Sequence, residues 1–447
     1  MKIDNCLKVI AEKDNYLMRN FQYFPLVVKE AKGSIITDLD DNKFIDFLSS
    51  ASSLNLGNSN PIINEAIINQ LNKFSQYCIG YIANEQVIEY AKLLSSVYPG
   101  GIKAKVSFAN SGSEANDTAI KFARAYTGRQ KLISFINGYH GSTYGAISIS
   151  SCTNKMKNGL GPFLPEVFFF PFYGNDISNE VAERESTKDL EEAFVKYLPA
   201  KEVAAAFIEV VQGDAGILPA HPIFIKKIYN LCKKNGILFI VDDVQHGFFR
   251  TGKMFSIEHY GIVPDGITLG KSLGSGLVGS AFLARSEIID EIGVPGQVFT
   301  LMGNALTSAA GIAAFNIYYS NEFQDIWTDC GCYDVSLNDC IKQSSRIFFR
   351  IDCAHIVNLD FIVTAKDLNV VLAEIINVMN ERSRNVYECH MIASLAEKQT
   401  DKTATDVTCA KMYSFFHTYT SNYNSECGMR NSELGLRSNR ELFIPNS

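Results

Sequence analysis

The chain has 447 residues, 47% of them hydrophobic, with 41 basic against 48 acidic side chains and a formal net charge of -7. That is enough for two or three domains around a large core, and a mildly acidic chain without a basic block argues against nucleic acid or an anionic membrane surface as its main partner. No apolar run reaches the roughly 18 residues of a membrane span, and Met1 to Asn20 lacks the uninterrupted apolar core of a signal peptide, so a cytoplasmic enzyme is the expectation.

Residues 4 to 20 read as a polar helix, and residues 26 to 47 as strands that turn at Gly33 and at Asp40-Asp41-Asn42. Helical periodicity follows over 61–74 and 84–97, and Pro99-Gly100-Gly101 closes the second stretch. From Lys105 the texture changes to strands alternating with helices, which predicts an α/β domain around a mainly parallel sheet. Val106-Ser107-Phe108 is the first of its strands. Ala115, Ala119, Phe122, Ala123 and Tyr126 form the expected buried stripe of the helix behind it.

Between that strand and that helix lies Asn110-Ser111-Gly112-Ser113-Glu114-Ala115-Asn116. Gly and Ser at a helix start leave N–H groups and hydroxyls free to face an anion, which the helix dipole also favours; the same residues also make an ordinary helix cap. Lys131 to Phe135 is the next strand and leads into Asn137-Gly138-Tyr139-His140-Gly141, where an aromatic between glycines can lie flat on a planar ligand or pack its own loop. Ala204 to Glu209 is another strand, running on into Gln212-Gly213-Asp214.

After a helix over 222–235, the apolar run Ile237 to Val241 delivers Asp242 to the carboxyl end of a central strand, where open α/β sheets bind ligands. A buried carboxylate without a partner is costly, so Asp242 calls for a cationic one. Ile267 to Leu269 is a further buried strand. Lys271 follows it at once, among Gly270, Gly274, Gly276 and Gly279, where backbone and ligand can approach closely.

The 11 cysteines are odd in number and irregularly spaced, so reduced thiols are expected rather than a disulfide framework. Cys330, Cys332, Cys340, Cys353 and His355 match no closed zinc-site spacing, and no metal is expected.

An anion cup, a stacking aromatic, a buried aspartate and a strand-end lysine are what pyridoxal phosphate needs: a phosphate site, a planar stack, a partner for the pyridine nitrogen and an amine for a Schiff base. With these motifs in order between about residues 20 and 320, the chain resembles the class III aminotransferase family of fold type I pyridoxal-phosphate enzymes. The resemblance implies a cofactor-binding large domain over 56–320 with a mainly parallel seven-stranded sheet. A small α+β domain would come from both termini, 1–55 and 321–447. It implies that Ser111, Gly112 and Ser113 bind the cofactor phosphate, that Tyr139 stacks on the ring, and that Glu209 is an acid close by. Asp242 would pair with the pyridine nitrogen, Val244 pack on the ring, Gln245 lie near the phenolic oxygen and Lys271 carry the cofactor. Thr300, in Phe299-Thr300-Leu301-Met302-Gly303-Asn304, matches a threonine that reaches the phosphate of a neighbouring subunit, which implies a homodimer with shared active sites, or a tetramer built from it.

Within the family, three stretches are similar to the broad-specificity amino-acid racemases of the isoleucine 2-epimerase type: Phe122 to Gln130, Tyr139 to Gly145, and above all Gln212-Gly213-Asp214. Racemisation removes a proton from one face of Cα and returns one to the other, so a second acid/base must stand opposite the lysine. The resemblance gives that role to Asp214, which taken alone also reads as a turn residue beside glycines. The implied activity is inversion of a neutral amino acid at Cα by Lys271 and Asp214. Transamination of an α- or ω-amino acid with a 2-oxo acid is the alternative, and a homologue that binds the cofactor without activity is the third. Beyond about Asn321 the family pattern frays. Helical periodicity from Thr364 through Leu372, Ile375, Ile376 and Met379 comes early for the family's final helix. On that alignment Arg350 is the arginine for the substrate carboxylate and the residues after 382 are a tail; on the other, the arginine is Arg437.

Overall fold

Strands covered on both faces must be apolar along their whole length, and the chain supplies several such runs. The computed structural model describes residues 3–13, 15–18 and 24–324, all of which but Phe24 fall in one unit of the chain. The first strands are β1 (Val28–Lys32), β2 (Ile35–Asp38) and β3 (Lys43–Ile45), an antiparallel meander whose first turn pivots on Gly33 at φ +54°. The helix before them spans Asp4–Lys13, shorter than the 4–20 periodicity suggests. Its first turn is tied to the meander by Asp40, whose carboxylate accepts the N–H groups of Asn5 (3.0 Å) and Cys6 (2.9 Å).

The main sheet begins with β4 (Ala104–Ala109), β5 (Lys131–Phe135), β6 (Val167–Phe170) and β7 (Val203–Ile208). A small hairpin, β8 (Val211–Gln212) with β9 (Leu218–Pro219), stands outside it. β10 (Leu238–Asp242), β11 (Gly266–Leu269) and β12 (Ser280–Arg285) complete seven strands in the order β4-β12-β11-β10-β7-β5-β6. β12 runs against the other six strands of this sheet, so the expected mainly parallel α/β sheet is what the chain forms.

Every residue of β7, β10 and β11 is buried, because helices cover both faces. Leu238 and Ile240 point into one core with Ala119, Phe122 and Ala123 of the Gly112–Thr127 helix. Phe239 and Val241 point into the other with Phe224, Ile225 and Ile228 of the Pro222–Asn235 helix. That second helix keeps the limits its sequence signals: the His221 side chain caps it, Pro222 opens it, and Gly236 at φ +63° ends it. Tyr126 departs from the expected buried stripe. It lies in the last turn of its helix and is 37% exposed, covered by the Arg285 guanidinium 5.9 Å from its ring rather than by the core.

Among the described residues no helix is long and apolar enough to cross a membrane. Arg350, Arg437 and the helical periodicity from Thr364 lie outside the described residues.

Candidate active site

The chain leaves β4, β5, β7, β10 and β11 at their carboxyl ends, and those exits carry every expected cofactor-binding residue except Thr300. At the first exit Ser111 is the N-cap of the Gly112–Thr127 helix. Its hydroxyl accepts the Glu114 N–H at 3.2 Å, and the Glu114 carboxylate accepts the Asn110 N–H at 2.7 Å. The capping reading therefore describes Ser111, whose hydroxyl lone pair serves the helix. The N–H groups of Gly112 and Ser113, by contrast, make no hydrogen bond among the described residues. Two donors at the positive end of a helix are left for an anion.

Glycine is required there by contact. A Cβ on Gly112 would stand 2.7 Å from Val244 Cγ1, and one on Gly270 would stand 3.0 Å from the same atom. Val244 is thus lodged between the helix start and the exit of β11, which puts the anion cup, the end of β10 and Lys271 in one place. The Ser142 N–H donates to Ser113 Oγ at 3.0 Å, fastening the loop that carries Tyr139 to the same helix start. Tyr139 is half-buried, with its hydroxyl 3.2 Å from Ser142 Oγ.

Asp242 is 5% exposed and is held from three directions. Its Oδ2 accepts from Asn116 Nδ2 at 2.8 Å and from His140 Nδ1 at 2.7 Å, and its Oδ1 accepts the Val244 N–H at 3.1 Å. Asn116 is fixed in turn: it donates to the His140 carbonyl at 2.8 Å and accepts from Thr268 Oγ1 at 3.0 Å. A carboxylate offers about four acceptor sites, so Oδ1 retains one, enough for a protonated ring nitrogen. Beside it Glu209, 6% exposed, accepts the N–H groups of Tyr139 (2.8 Å) and Gly213 (3.3 Å). Burial first, and then the Asp242 charge, push its carboxyl well above the usual range. Neither Asn116 nor His140 was assigned a role from sequence, although both lie inside the motifs singled out there.

Asp214 occupies the turn between β8 and β9 and is exposed, with no hydrogen bond to its carboxylate among the described residues. Enough protein surrounds it that partial burial raises its pKa, while the Lys271 charge pulls the other way. Lys271 shows the converse: burial lowers its pKa against the pull of Asp214, Glu209 and Asp242. The two groups are therefore electrostatic neighbours whose proton affinities burial draws together, against the pull of their opposite charges. Gln245 lies on the Gly213 backbone, where a Cβ would collide with its amide. Lys271 itself has φ +44°, in the left-handed region that favours glycine. Thr300 is exposed on the loop before the Ala305–Tyr318 helix and touches none of these residues among the described contacts.

An unbonded N–H pair for a phosphate, a carboxylate with a spare acceptor site, a half-buried tyrosine and a primary amine together fit pyridoxal phosphate. Residues 16–340 match the family described as Aminotransferase class-III. Isoleucine 2-epimerase of Lentilactobacillus buchneri is 38% identical over 325 residues, 71% of this chain and 72% of its own. Leucine/methionine racemase of Thermococcus litoralis is 37% identical over 298 residues, 65% of this chain and 66% of its own. Among solved structures, an amine transaminase from an uncultivated Pseudomonas species in its PLP-bound form superposes with a TM-score of 0.64 at 26% identity, over 70% of this chain and 76% of that one.

Proposed function

The chain belongs to the class III aminotransferase family and is an enzyme of the isomerase or transferase kind, and from that premise we propose that it inverts a neutral amino acid at Cα with pyridoxal phosphate as cofactor. When bound, the cofactor withdraws electrons from Cα and makes its proton acidic. The Gly112 and Ser113 N–H groups would hold the phosphate, Asp242 the ring nitrogen, and Tyr139 and Val244 the ring. Lys271 moves the Cα proton on one face and Asp214 on the other.

The observation that carries this reading is that Asp214 and Lys271 act on each other's charge within one site, whose burial raises the acid and lowers the amine against that mutual pull. A raised acid and a lowered amine each stand closer to neutrality, where one group can both take and give a proton. Among the described residues Asp214 also keeps its carboxylate free of hydrogen bonds, which leaves both oxygens to meet a proton. Thr300 is exposed on its loop, where a second subunit can reach it, which supports the further reading of a homodimer with shared sites; a cytoplasmic location belongs to the same reading.

The test is incubation of the protein and pyridoxal phosphate with single L-amino acids, isoleucine, leucine and methionine first, followed by chiral chromatography with and without a 2-oxo acid. The Cα-inverted isomer should appear without any oxo acid. Asp214→Asn should lose inversion while still exchanging the Cα proton with solvent on one face, and full inversion in that variant would overturn the role given to Asp214. The likeness to an amine transaminase favours a second reading, transamination. It predicts no product until the oxo acid is added, and then a new amino acid.

A further inference from the structure

Glu209 has no role in the scheme above, although it is buried in the same site. A buried carboxyl is costly unless its oxygens are hydrogen-bonded, and each oxygen of Glu209 accepts a backbone N–H from a different segment. Oε2 accepts from Tyr139 at 2.8 Å, and Oε1 accepts from Gly213 at 3.3 Å. Tyr139 and Glu209 are 70 positions apart, so nothing local joins them. One residue before Gly213 the same two segments meet again: Gln212, 1% exposed, donates from Nε2 to the Ile136 carbonyl at 2.9 Å. Gln245 packs against Gly213 so closely that a Cβ there would collide with its amide. Val211, Gln212 and Gly213 are all buried, whereas the next residue, Asp214, is exposed. The hairpin is therefore fixed up to the residue before its acid. The acid's own carboxylate carries no hydrogen bond among the described residues.

We infer that Glu209 is a positioning residue for Asp214: with Gln212 beside it, it clasps the Asp214 hairpin to the Tyr139 loop, and so sets where the acid stands relative to the tyrosine that lies on the ring. A group that moves a proton at carbon gains from a fixed origin and from free oxygens. Ties on the two residues before it supply the first without removing the second. What a well-placed Asp214 then does rests on the function proposed above; the clasp itself does not.

The experiment uses the full chain and has two arms. In the first, amide hydrogen exchange of the cofactor-free protein is followed by mass spectrometry over residues 136–142 and 211–219. Glu209→Gln keeps the shape of the side chain but offers one acceptor oxygen to two N–H groups, so the bridge opens whichever of them it keeps. Exchange should quicken about tenfold in both stretches, with the Leu238–Asp242 strand unchanged. Gln212→Met, which fills the same space without the donor, should loosen the same two stretches, and it decides the matter should Glu209→Gln fail to fold. Loosening of one stretch alone, or of the whole sheet, would overturn the clasp. In the second arm, the protein loaded with pyridoxal phosphate exchanges the Cα proton of the L and D isomers of leucine and of methionine in D2O. Asp214→Asn should still exchange one isomer and not the other. Glu209→Gln should slow that other isomer about tenfold and leave the first at the wild-type rate, which a general loss of stability would not do; equal slowing of both would overturn the positioning role. Two loosened stretches in a protein that inverts no amino acid would sink the proposed reaction alone, and unloosened stretches in a working racemase would sink the clasp alone.

Discussion

Asp242 and Asp214 are two carboxylates of one site, held in opposite ways. Asp242 ends a strand buried on both faces and accepts hydrogen bonds from Asn116, His140 and Val244, each on a different segment. Asp214 rides the turn of a hairpin built from two-residue strands, is exposed, and has no hydrogen bond to its carboxylate among the described residues. The difference follows the work proposed for each. A group that orients a cofactor gains from being over-determined, whereas a group that exchanges a proton with carbon gains from keeping its oxygens accessible.

Changes at the site test that contrast in descending order of effect. Lys271→Ala removes the amine both carboxylates act on, and turnover should fall on the order of 10^4-fold or more, with loss of the yellow colour of the reconstituted protein as the check. Asp242→Ala strands the His140 and Asn116 donors in the interior, and urea denaturation should show a loss of about 3–5 kcal/mol. An unchanged midpoint there would mean that the network is not the anchor it looks to be. Asp214→Asn should leave denaturation within about 0.5 kcal/mol of wild type while lowering inversion on the order of 10^2-fold; a comparable loss of stability would erase the distinction between the two aspartates.

The smallest effect concerns Asp243, the buried neighbour of Asp242. Its carboxylate accepts the Ser256 N–H at 2.9 Å and the Ser256 hydroxyl, and burial lifts it to about 7. Because that value lies above the unfolded one near 3.8, its contribution to stability is complete below about pH 4 and is lost as pH rises through about 7. Between pH 6 and 8 the wild type should lose about 1 kcal/mol from this group. Asp243→Asn, which keeps a donor and an acceptor for Ser256, should lack that component in thermal unfolding followed across the same range.

Much of the frame was legible in the sequence because it depends on local signals. Lys131–Phe135 and Pro222–Asn235 keep their expected limits: the first is an apolar run between turn residues, and the second has proline at its start and glycine at its end. Lys271 and Asp242 were legible because a polar residue that terminates an apolar strand is conspicuous. Asn116 and His140 were not, since a polar side chain inside a helix or loop gives no sign of which distant carboxylate it will meet, and Asp242 lies 126 residues from the first and 102 from the second. Tyr126 went astray for the converse reason: helical spacing places a residue on a face but does not say that Arg285, not the core, will cover it. Ser111 and Gly112 read alike as a cap or a cup. Only the spent hydroxyl of one and the unbonded N–H of the other separate the two uses.

The left-handed backbone at Lys271 has an evolutionary side. For a residue with a Cβ that conformation costs about 1–2 kcal/mol, and glycine escapes the cost. A laboratory library of this chain screened for heat resistance alone would thus favour Lys271→Gly, and its hardiest survivors would be colourless. Any programme to toughen this protein needs a selection for turnover running beside the one for survival.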